Sequence, residues 1–482
     1  MLKEGKIMKD KITRFNKVND ELIKELKELL GESYVTTDKN DLEPLSQDEE
    51  HDTRLHSMPE VAVFPSSTEE VAGIVKLANK YMVPVTPRCA GTGMSAAAVP
   101  VYHGIVISFK RMNKILELNE DSMYAVLQPA VYTAVLQKEA EKHGLMYAGD
   151  PASSADSQIG GNIAANAGGL RAVKYGTSRN QYYQLKVVTP LGEIATLGQR
   201  TQKCSTGYPI EILLAGSEGT LGIITEVVVK LRPKPKYKMD LLAIFTDSQD
   251  ALNIPYKIIK SGADVTSIEY MDNKSVNLTG DFIKADLPYS KENGQYVIIT
   301  IETFSEDDLF EKVGVVTELC ESNGAVEVVE PSDTVWMARR NIQEAVREES
   351  MIHSTEDFVV PLDKIETIVG ILPKLESKYN LKTFTVAHIG DGNIHTHVMR
   401  YDMPQEEWDK KISDFHEELF GEVYKLGGRL TGEHGIGTLK MEAFKKFSDP
   451  ISRKLMMQIK KAWDPNNILN PGTIFDLEIE NI

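Results

Sequence analysis

The sequence is short of cysteine and of positive charge. Its three cysteines are scattered over 482 residues and form no CxxC pair. We therefore expect neither a disulfide framework nor a cysteine-rich metal or iron–sulfur motif, which fits a reducing cytoplasm. Lys and Arg number 54 against 71 Asp and Glu, for a net charge of -17, and this argues against nucleic acid as a partner. No apolar run approaches the roughly 18 residues that a membrane span needs, so no transmembrane segment is expected.

What the sequence does contain is an α/β texture interrupted by one linker-like stretch. Residues 11–31 carry apolar side chains at helical spacing, which predicts an amphipathic helix packed on the body, with a partner-docking arm as the alternative. Residues 232–236 alternate proline with basic residues, as a linker does. We predict four segments: an N-terminal helical extension (1–58), a cofactor-binding domain (59–234), an α+β substrate or cap domain (235–430) and a C-terminal segment that completes the active site (431–482).

Three glycine-rich stretches indicate a large phosphate-bearing cofactor. Residues 88–95 follow a strand, and their glycines let backbone N–H groups converge on an anion. A Rossmann turn must open a long helix, which Pro100 would cut short, so we reject a Rossmann fold. Residues 159–169 hold two Gly-Gly pairs separated by small side chains. They leave room for a large flat group, or form a tightly packed structural turn. Residues 216–222 form a third glycine-rich stretch, which lies just before a predicted strand.

A histidine-rich hairpin is a candidate metal site. Asp391-Gly392 is a favoured two-residue hairpin turn, and such a turn would place His388 directly opposite His395. Opposed residues have Cβ atoms roughly 4.5–5.5 Å apart, so the two imidazoles could share a divalent ion, with His397 on the same strand face in reserve. Glu433 could add a carboxylate from a later glycine-rich turn. The spacing alone leaves a structural histidine pair as an equal alternative.

A buried arginine is a candidate anion anchor. Residues 331–347 are predicted to form one helix, capped by Ser332 or Asp333. Arg339 falls inside its apolar stripe, and a buried cation needs an anion. The anion could be an internal carboxylate, in a structural salt bridge, or the carboxylate of a substrate.

The order of these motifs resembles a known family. From about Pro59 to Thr473, the chain is similar to the vanillyl-alcohol oxidase and p-cresol methylhydroxylase superfamily. Within it, the chain resembles the group of glycolate oxidase large subunits, D-lactate dehydrogenases and D-2-hydroxyglutarate dehydrogenases. The resemblance implies an α+β fold, with a two-subdomain FAD-binding domain of the p-cresol methylhydroxylase type, an α+β cap domain and a C-terminal segment.

The resemblance also implies which residues bind FAD. Relatives usually carry glycine where Ala96 and Ala97 stand, and often lysine where Thr473 stands, so the resemblance implies the cofactor but leaves open the exact contacts of those two loops. Residues 88–100 include no histidine for covalent attachment, and non-covalent FAD is expected. The implied FAD-binding residues are Arg88, Ala90, Gly91, Thr92, Gly93, Met94, Ser95, Gln128, Pro151, Ser154, Gly160, Gly161, Asn166, Gly168, Tyr175, Gly176, Glu218, Gly219, Ile224 and Asn470.

The implied reaction is the oxidation of a D-2-hydroxy acid, with D-lactate as the leading substrate. In the family's pattern His388, His395 and Glu433 bind Zn²⁺, Fe²⁺ or Mn²⁺, His434 is the base, and Arg339 holds the substrate carboxylate. The metal would lower the pKa of the substrate hydroxyl while a hydride passes to flavin N5.

Two further expectations concern the substrate and the electron acceptor. Residues 354–357 lack the lysine that relatives use for a second carboxylate, which favours a monocarboxylate. The expected electron acceptor is a separate electron-transferring flavoprotein. The alternatives are a glycolate or other 2-hydroxy acid dehydrogenase or oxidase, and a binding scaffold without chemistry.

Overall fold

The computed structural model describes residues 15–50 and 52–476. The helices are α1 Asp20–Leu30, α2 Lys39–Leu42, α3 Thr68–Tyr81, α4 Thr133–Lys142, α5 Ile159–Ala165, α6 Ala172–Tyr175, α7 Ser248–Ser261, α8 Asn273–Ile283, α9 Glu306–Ser322, α10 Asp333–Arg340, α11 Ile342–Glu349, α12 Ile365–Val369, α13 Leu372–Tyr379, α14 Gln405–Lys425, α15 Met441–Phe447 and α16 Pro450–Trp463. The strands are β1 Val35–Thr36, β2 Val61–Val63, β3 Val85–Arg88, β4 Ile105–Ser108, β5 Ile115–Asn119, β6 Tyr124–Leu127, β7 Leu145–Met146, β8 Tyr182–Val188, β9 Ile194–Gly198, β10 Ile223–Lys230, β11 Arg232–Pro233, β12 Tyr237–Phe245, β13 Ser267–Met271, β14 Gln295–Thr303, β15 Ala325–Val329, β16 His353–Val359, β17 Lys382–His388 and β18 Asn393–Met399.

The chain forms two compact units. The first, which we call the hairpin unit, consists of Gly168–Gly176 and Pro235–Glu433. The second, which we call the glycine-rich unit, contains the described residues up to Ala167, Thr177–Lys234 and the chain from His434 onward. The division into four domains or segments that the sequence suggested remains a prediction.

The glycine-rich unit contains two main sheets. One has the order β1-β2-β4-β3, with β2 and β3 both parallel to β4. The other is antiparallel, with the order β5-β6-β10-β8-β9. Each sheet has its own cluster of buried aliphatic side chains. This arrangement is the two-subdomain architecture that the sequence predicted.

The N-terminal helix is shorter than predicted. It begins at Asp20, because the Asn19 side chain accepts a hydrogen bond from the Leu22 N–H and so caps the first turn. Phe15 lies before the helix, and residues 11–14 fall outside the described part of the chain. Leu22 and Leu26 are fully buried in the same core as α3. The helix therefore packs on the body of its unit, as the favoured interpretation had it.

The hairpin unit is built on one antiparallel sheet of seven strands, with the order β15-β12-β14-β13-β17-β18-β16. Strands β13, β14 and β18 are buried along their whole length, and β17 is buried except at its first residue, Lys382. Side chains alternate between the two faces of a strand, so every second residue of β13, β17 and β18 points to the same face. This face carries the candidate site.

The prediction of one continuous helix over residues 331–347 is wrong. It is two helices, α10 and α11, because Asn341 leaves the helical conformation with φ -93° and ψ 13°. Its side-chain amide bonds the Met337 carbonyl and competes with the backbone there. The apolar stripe is nevertheless buried as predicted, from Val335 to Val346.

Within the two described ranges, no helix is long and apolar enough to cross a membrane.

The glycine-rich unit contains a buried charge pair. Lys460 Nζ lies 2.5 Å from Asp464 Oδ2, with side-chain exposures of 3% and 0%. The same ammonium donates to the carbonyls of Thr220 and Leu469. One cation thus ties α16, the third glycine-rich stretch and the C-terminal tail together.

We predict that Lys460→Met destabilises the protein by about 3–5 kcal/mol, because it leaves Asp464 as an unpaired buried charge. A drop in the melting temperature measures the effect. The double variant Lys460→Met/Asp464→Asn should recover part of the loss. Equal melting temperatures for wild type and Lys460→Met would contradict the prediction.

Candidate active site

The hairpin forms in a different register from the predicted one. A two-residue type I′ turn needs a positive φ at both central residues, but of Asp391 and Gly392 only Gly392 has one, at 82°. The turn therefore takes four residues, and His388 pairs with Asn393 while His395 pairs with Val386. The prediction that His388 and His395 are directly opposed is wrong.

The two histidines nevertheless meet. Relative to the predicted pairing, each residue's partner shifts by two positions, and an even shift leaves every side chain on its face. His388 and His395 are diagonal neighbours, with ring centroids 5.3 Å apart and ring planes at 88°. Both side chains are buried, with exposures of 6% and 8%. The hairpin thus presents two imidazoles to one point.

Glu433 completes the cluster that the sequence predicted. Its Oε1 lies 3.4 Å from His388 Nε2 and 3.2 Å from His395 Nε2. Zinc bonds of about 2.0–2.2 Å at a tetrahedral angle separate ligand atoms by roughly 3.4 Å. Two imidazole nitrogens and one carboxylate, held within 4.8 Å of one another, therefore fit a divalent ion. His397 lies beyond this group, where its Nδ1 bonds the Thr355 hydroxyl.

Asp357 brings Glu433 to the hairpin. Its carboxylate is fully buried and accepts hydrogen bonds from the Thr431 hydroxyl at 2.6 Å and from the backbone N–H of Gly432 and Glu433 at 3.2 Å. It also accepts from the Asn393 side chain at 2.7 Å, on the first residue of β18. One carboxylate therefore fixes both segments that supply the candidate ligands.

A second buried carboxylate, Glu269, connects the candidate metal ligands to Arg339. His388 Nδ1 lies 2.8 Å from Glu269 Oε1, and Arg339 Nη2 lies 2.6 Å from Glu269 Oε2. Arg339 thus forms an internal salt bridge, which is one of the two alternatives that the sequence left open. Its Nε, however, is buried and has no hydrogen-bond partner among the described residues. That donor is available to a carboxylate ligand.

These contacts set the charges of the cluster. Burial opposes ionisation of Glu433, but His388 and His395 outweigh it and hold the pKa of Glu433 well below its ordinary value. Burial likewise opposes a charge on His388, yet Glu269 and Glu433 raise the pKa of His388 well above its ordinary value. A divalent ion would displace the proton that His388 carries.

In the glycine-rich unit, the structure brings together three of the segments expected to bind FAD. The Asn470 side chain donates to the carbonyls of Ala97 and Glu218, each at 2.8 Å. The Ser95 carbonyl accepts from the N–H groups of Thr438 and Leu439. The first glycine-rich stretch, the third and the C-terminal tail therefore share one region, as a cofactor that contacts all three requires.

The residues of this region fit a large polar cofactor. The hydroxyls of Ser95 and Thr473 and the Asn470 Oδ1 are buried without hydrogen-bond partners in the part of the chain that the structure describes. Unpaired buried polar atoms are costly, so a ligand with donors and acceptors suits them. The glycine at position 160 is explained without a cofactor, because a Cβ there would lie 2.5 Å from Pro129 Cβ. Its missing side chain is required by packing.

The other expected FAD-binding residues are also placed. Gln128, Pro151, Ser154, Gly161, Asn166 and Ile224 lie in the glycine-rich unit with the 88–95 stretch, but Gly168, Tyr175 and Gly176 lie in the hairpin unit. Glu218 accepts from the backbone N–H groups of Ile436 and Gly437 at 2.8 and 2.7 Å. Burial raises the pKa of Glu218 to about 7. It fixes the turn that follows His434.

The comparisons with known proteins bear on both halves of the chain. Residues 59–198 match the family model of a FAD binding domain, and residues 234–474 match that of the C-terminal domain of FAD linked oxidases. D-lactate dehydrogenase of Anaerostipes hadrus is 34% identical over 475 residues, covering 96% of this chain and 98% of its own. The chain belongs to the FAD-linked oxidases.

A second relative and a solved structure agree with this assignment. Glycolate oxidase subunit GlcD of Bacillus subtilis is also 34% identical, over 431 residues, covering 88% of this chain and 90% of its own. The structure of p-cresol methylhydroxylase with substrate bound superposes with a TM-score of 0.79 at 19% identity, covering 95% of this chain and 97% of that one. The predicted p-cresol methylhydroxylase type of fold is confirmed, and this FAD-linked oxidase falls in the group of 2-hydroxy acid dehydrogenases and oxidases.

Sequence reasoning missed Glu269 and Asp357. Glu269 is the one charged residue of β13, and a charge at a buried strand position is a signal that something must pair with it. That signal could have selected Glu269, but it could not have named its partners. Asp357 follows Glu356 in β16, a strand that also contains His353 and Ser354, so no such contrast marks it.

We predict that Gly168→Ala weakens divalent metal binding by on the order of tenfold, as a displaced ligand does. A Cβ at Gly168 would lie 2.6 Å from Glu433 Oε2, so the carboxylate must move. Mn²⁺ affinity of the FAD-loaded protein measures the effect. Gly314→Ala is the matched control, because a Cβ there meets nothing within 4 Å. Equal Mn²⁺ affinities for the two variants would show that Gly168 leaves Glu433 undisturbed.

Proposed function

We propose that this FAD-linked oxidase is a dehydrogenase that oxidises D-lactate to pyruvate. The observation that carries the proposal is the buried chain of contacts from Arg339 through Glu269 to His388. It joins an arginine that has a free donor to a cluster able to hold a divalent ion. A small acid with a carboxylate next to a hydroxyl has the two groups that such a pair of sites would bind.

In this mechanism each residue has one task. Arg339 binds the substrate carboxylate and orients the molecule. His388, His395 and Glu433 hold the divalent ion. When bound, the ion supplies a Lewis acid for the hydroxyl and FAD supplies the hydride acceptor. His434, the residue after Glu433, receives the hydroxyl proton on an imidazole nitrogen.

The choice of a monocarboxylate is supported by residues 354–357. Glu356 is nearly fully buried and lies 2.5 Å from His416 Nε2, and it also accepts from the Ser354 hydroxyl. This segment therefore contributes paired acidic groups and no cation for a second carboxylate. Glycolate is the second candidate substrate, because the GlcD relative has the same 34% identity as the D-lactate dehydrogenase relative, although over 431 rather than 475 residues.

The proposed electron acceptor is an electron-transferring flavoprotein in the cytoplasm. This part of the proposal rests on the resemblance of the sequence to such dehydrogenases. The three cysteines are free in the structure, and Cys89 and Cys320 have pKa values raised by burial to about 12. Thiols of this kind are poor redox partners for the flavin.

The substrate is tested by bleaching of the flavin without oxygen. D-lactate should reduce the yellow protein fastest, followed by glycolate, with L-lactate and D-2-hydroxyglutarate slow or inactive. The rate of loss of flavin absorbance is the measurement. Faster reduction by D-2-hydroxyglutarate than by D-lactate would overturn the proposed substrate and leave the group intact.

Metal removal tests the mechanism separately. A chelator should abolish D-lactate oxidation and leave the flavin spectrum unchanged, because the residues proposed for the ion lie in the hairpin unit and most of those expected to bind FAD lie in the glycine-rich unit. Zn²⁺, Mn²⁺ or Fe²⁺ should restore turnover to different degrees. His434→Ala should retain the metal but not the activity, whereas His388→Ala should lose both. Full activity in protein shown to be metal-free would rule the mechanism out.

A further inference from the structure

Glu269 accepts a hydrogen bond from the Arg339 guanidinium, which has no acceptor atom, and its other oxygen lies 2.8 Å from His388 Nδ1. His388 and Arg339 hold the pKa of Glu269 below its ordinary value against the effect of burial. An ionised carboxylate can only accept, so Nδ1 has to carry the proton, while His388 Nε2 faces Glu433 at 3.4 Å. Glu269 is fully buried, so no water can replace either bond. A carboxylate has two acceptor oxygens and is the side chain that satisfies both.

We propose that Glu269 is a positioning residue that fixes the tautomer of His388. By accepting from Nδ1–H it holds that proton on Nδ1, so the proton that an arriving metal ion displaces is the one on Nε2, the nitrogen that faces Glu433. The other oxygen of Glu269 holds Arg339. This inference rests on the proposed function, since it concerns the ion and the carboxylate anchor of that site. Metal-binding histidines commonly donate their second N–H to a carboxylate in this way.

Glu269→Gln separates the two contacts. An amide has one acceptor oxygen and one NH₂ group, so it can accept from only one of the two donors. The Arg339 side chain is only 11% exposed, and its permanent charge is the costlier group to leave unpaired, so the oxygen turns to Arg339 and the NH₂ group faces His388. His388 must then accept at Nδ1, and its proton moves to Nε2. The nitrogen that faces Glu433 can no longer bind a metal.

The expected result is a loss of Zn²⁺ affinity of about 10- to 100-fold in FAD-loaded, metal-stripped Glu269→Gln, the range for such supporting carboxylates. Competition with a chromogenic chelator measures it. Glu376→Gln is the matched control. Glu376 is in the same unit, pairs with Lys274 and accepts from Thr383 on the strand that carries His388. Its substitution should leave Zn²⁺ affinity unchanged.

The decisive variant is Glu269→Gln/Arg339→Met. With the guanidinium gone, the amide oxygen is released to accept from His388 Nδ1–H, so Zn²⁺ affinity should recover to within a few fold of Arg339→Met alone. A merely structural role for Glu269 would make the double variant bind no better than Glu269→Gln. Such a result, or a Glu269→Gln affinity equal to that of Glu376→Gln, would overturn the inference.

Two combinations of results distinguish a failure of this inference from a failure of the proposed function. Wild type that oxidises D-lactate, combined with no effect of Glu269→Gln on Zn²⁺, refutes the role of Glu269 alone. Wild type that binds Zn²⁺ and shows the predicted pattern, but does not oxidise D-lactate, refutes the function alone. If Glu269→Gln does not fold, the ¹⁵N spectrum of Zn²⁺-loaded wild type decides, because a proton on His388 Nδ1 is required and its absence overturns the inference.

Discussion

A carboxylate without access to water has to be matched by donors, and the candidate site is arranged around two such carboxylates. Glu269 lies between Arg339 and His388, and Asp357 lies between the start of β18 and the Thr431–Glu433 segment. Removing either would leave buried donors unpaired on several elements at once. The positions of the hairpin, of Glu433 and of the arginine therefore depend on these two side chains.

The sequence predicted the residues of this cluster better than it predicted the geometry that brings them together. His388, His395 and Glu433 were selected from residue type and spacing, and they do converge. The assumed turn was wrong, yet the side-chain period of a strand is two, so the shift in pairing kept both histidines on one face. A slip of one residue would have separated them. The prediction that the two histidines share a face was therefore correct although the predicted turn was wrong. The same holds for the apolar stripe of α10 and α11, which is buried as predicted although the helix breaks at Asn341.

What could not be predicted are the partners that are distant in the sequence. Glu269 is 70 residues from Arg339 and 119 from His388, and Asp357 is 74 residues from Thr431. Such pairs depend on the strand order of the seven-stranded sheet, which places β13 beside β17 and β16 beside β18. Propensity and spacing do not contain that order. The glycine pattern of residues 159–169 was ambiguous for a related reason, since Gly160 is required by contact with Pro129 as much as by any ligand.

The balance of charge around the cluster favours a dication and a monoanion. Glu269, Asp357 and Glu433 are fully or largely buried in one unit, Asp391 lies close enough to interact with the same group, and Arg339 is the permanent cation that contacts Glu269. With neutral histidines the group has an excess of negative charge, which burial makes costly. A divalent ion would offset this excess, and the same ion would replace the proton of His388. In the proposed function, a substrate with one carboxylate adds a single negative charge beside Arg339. A dicarboxylate would bring a second, and residues 354–357 contain two acidic side chains and no Lys or Arg.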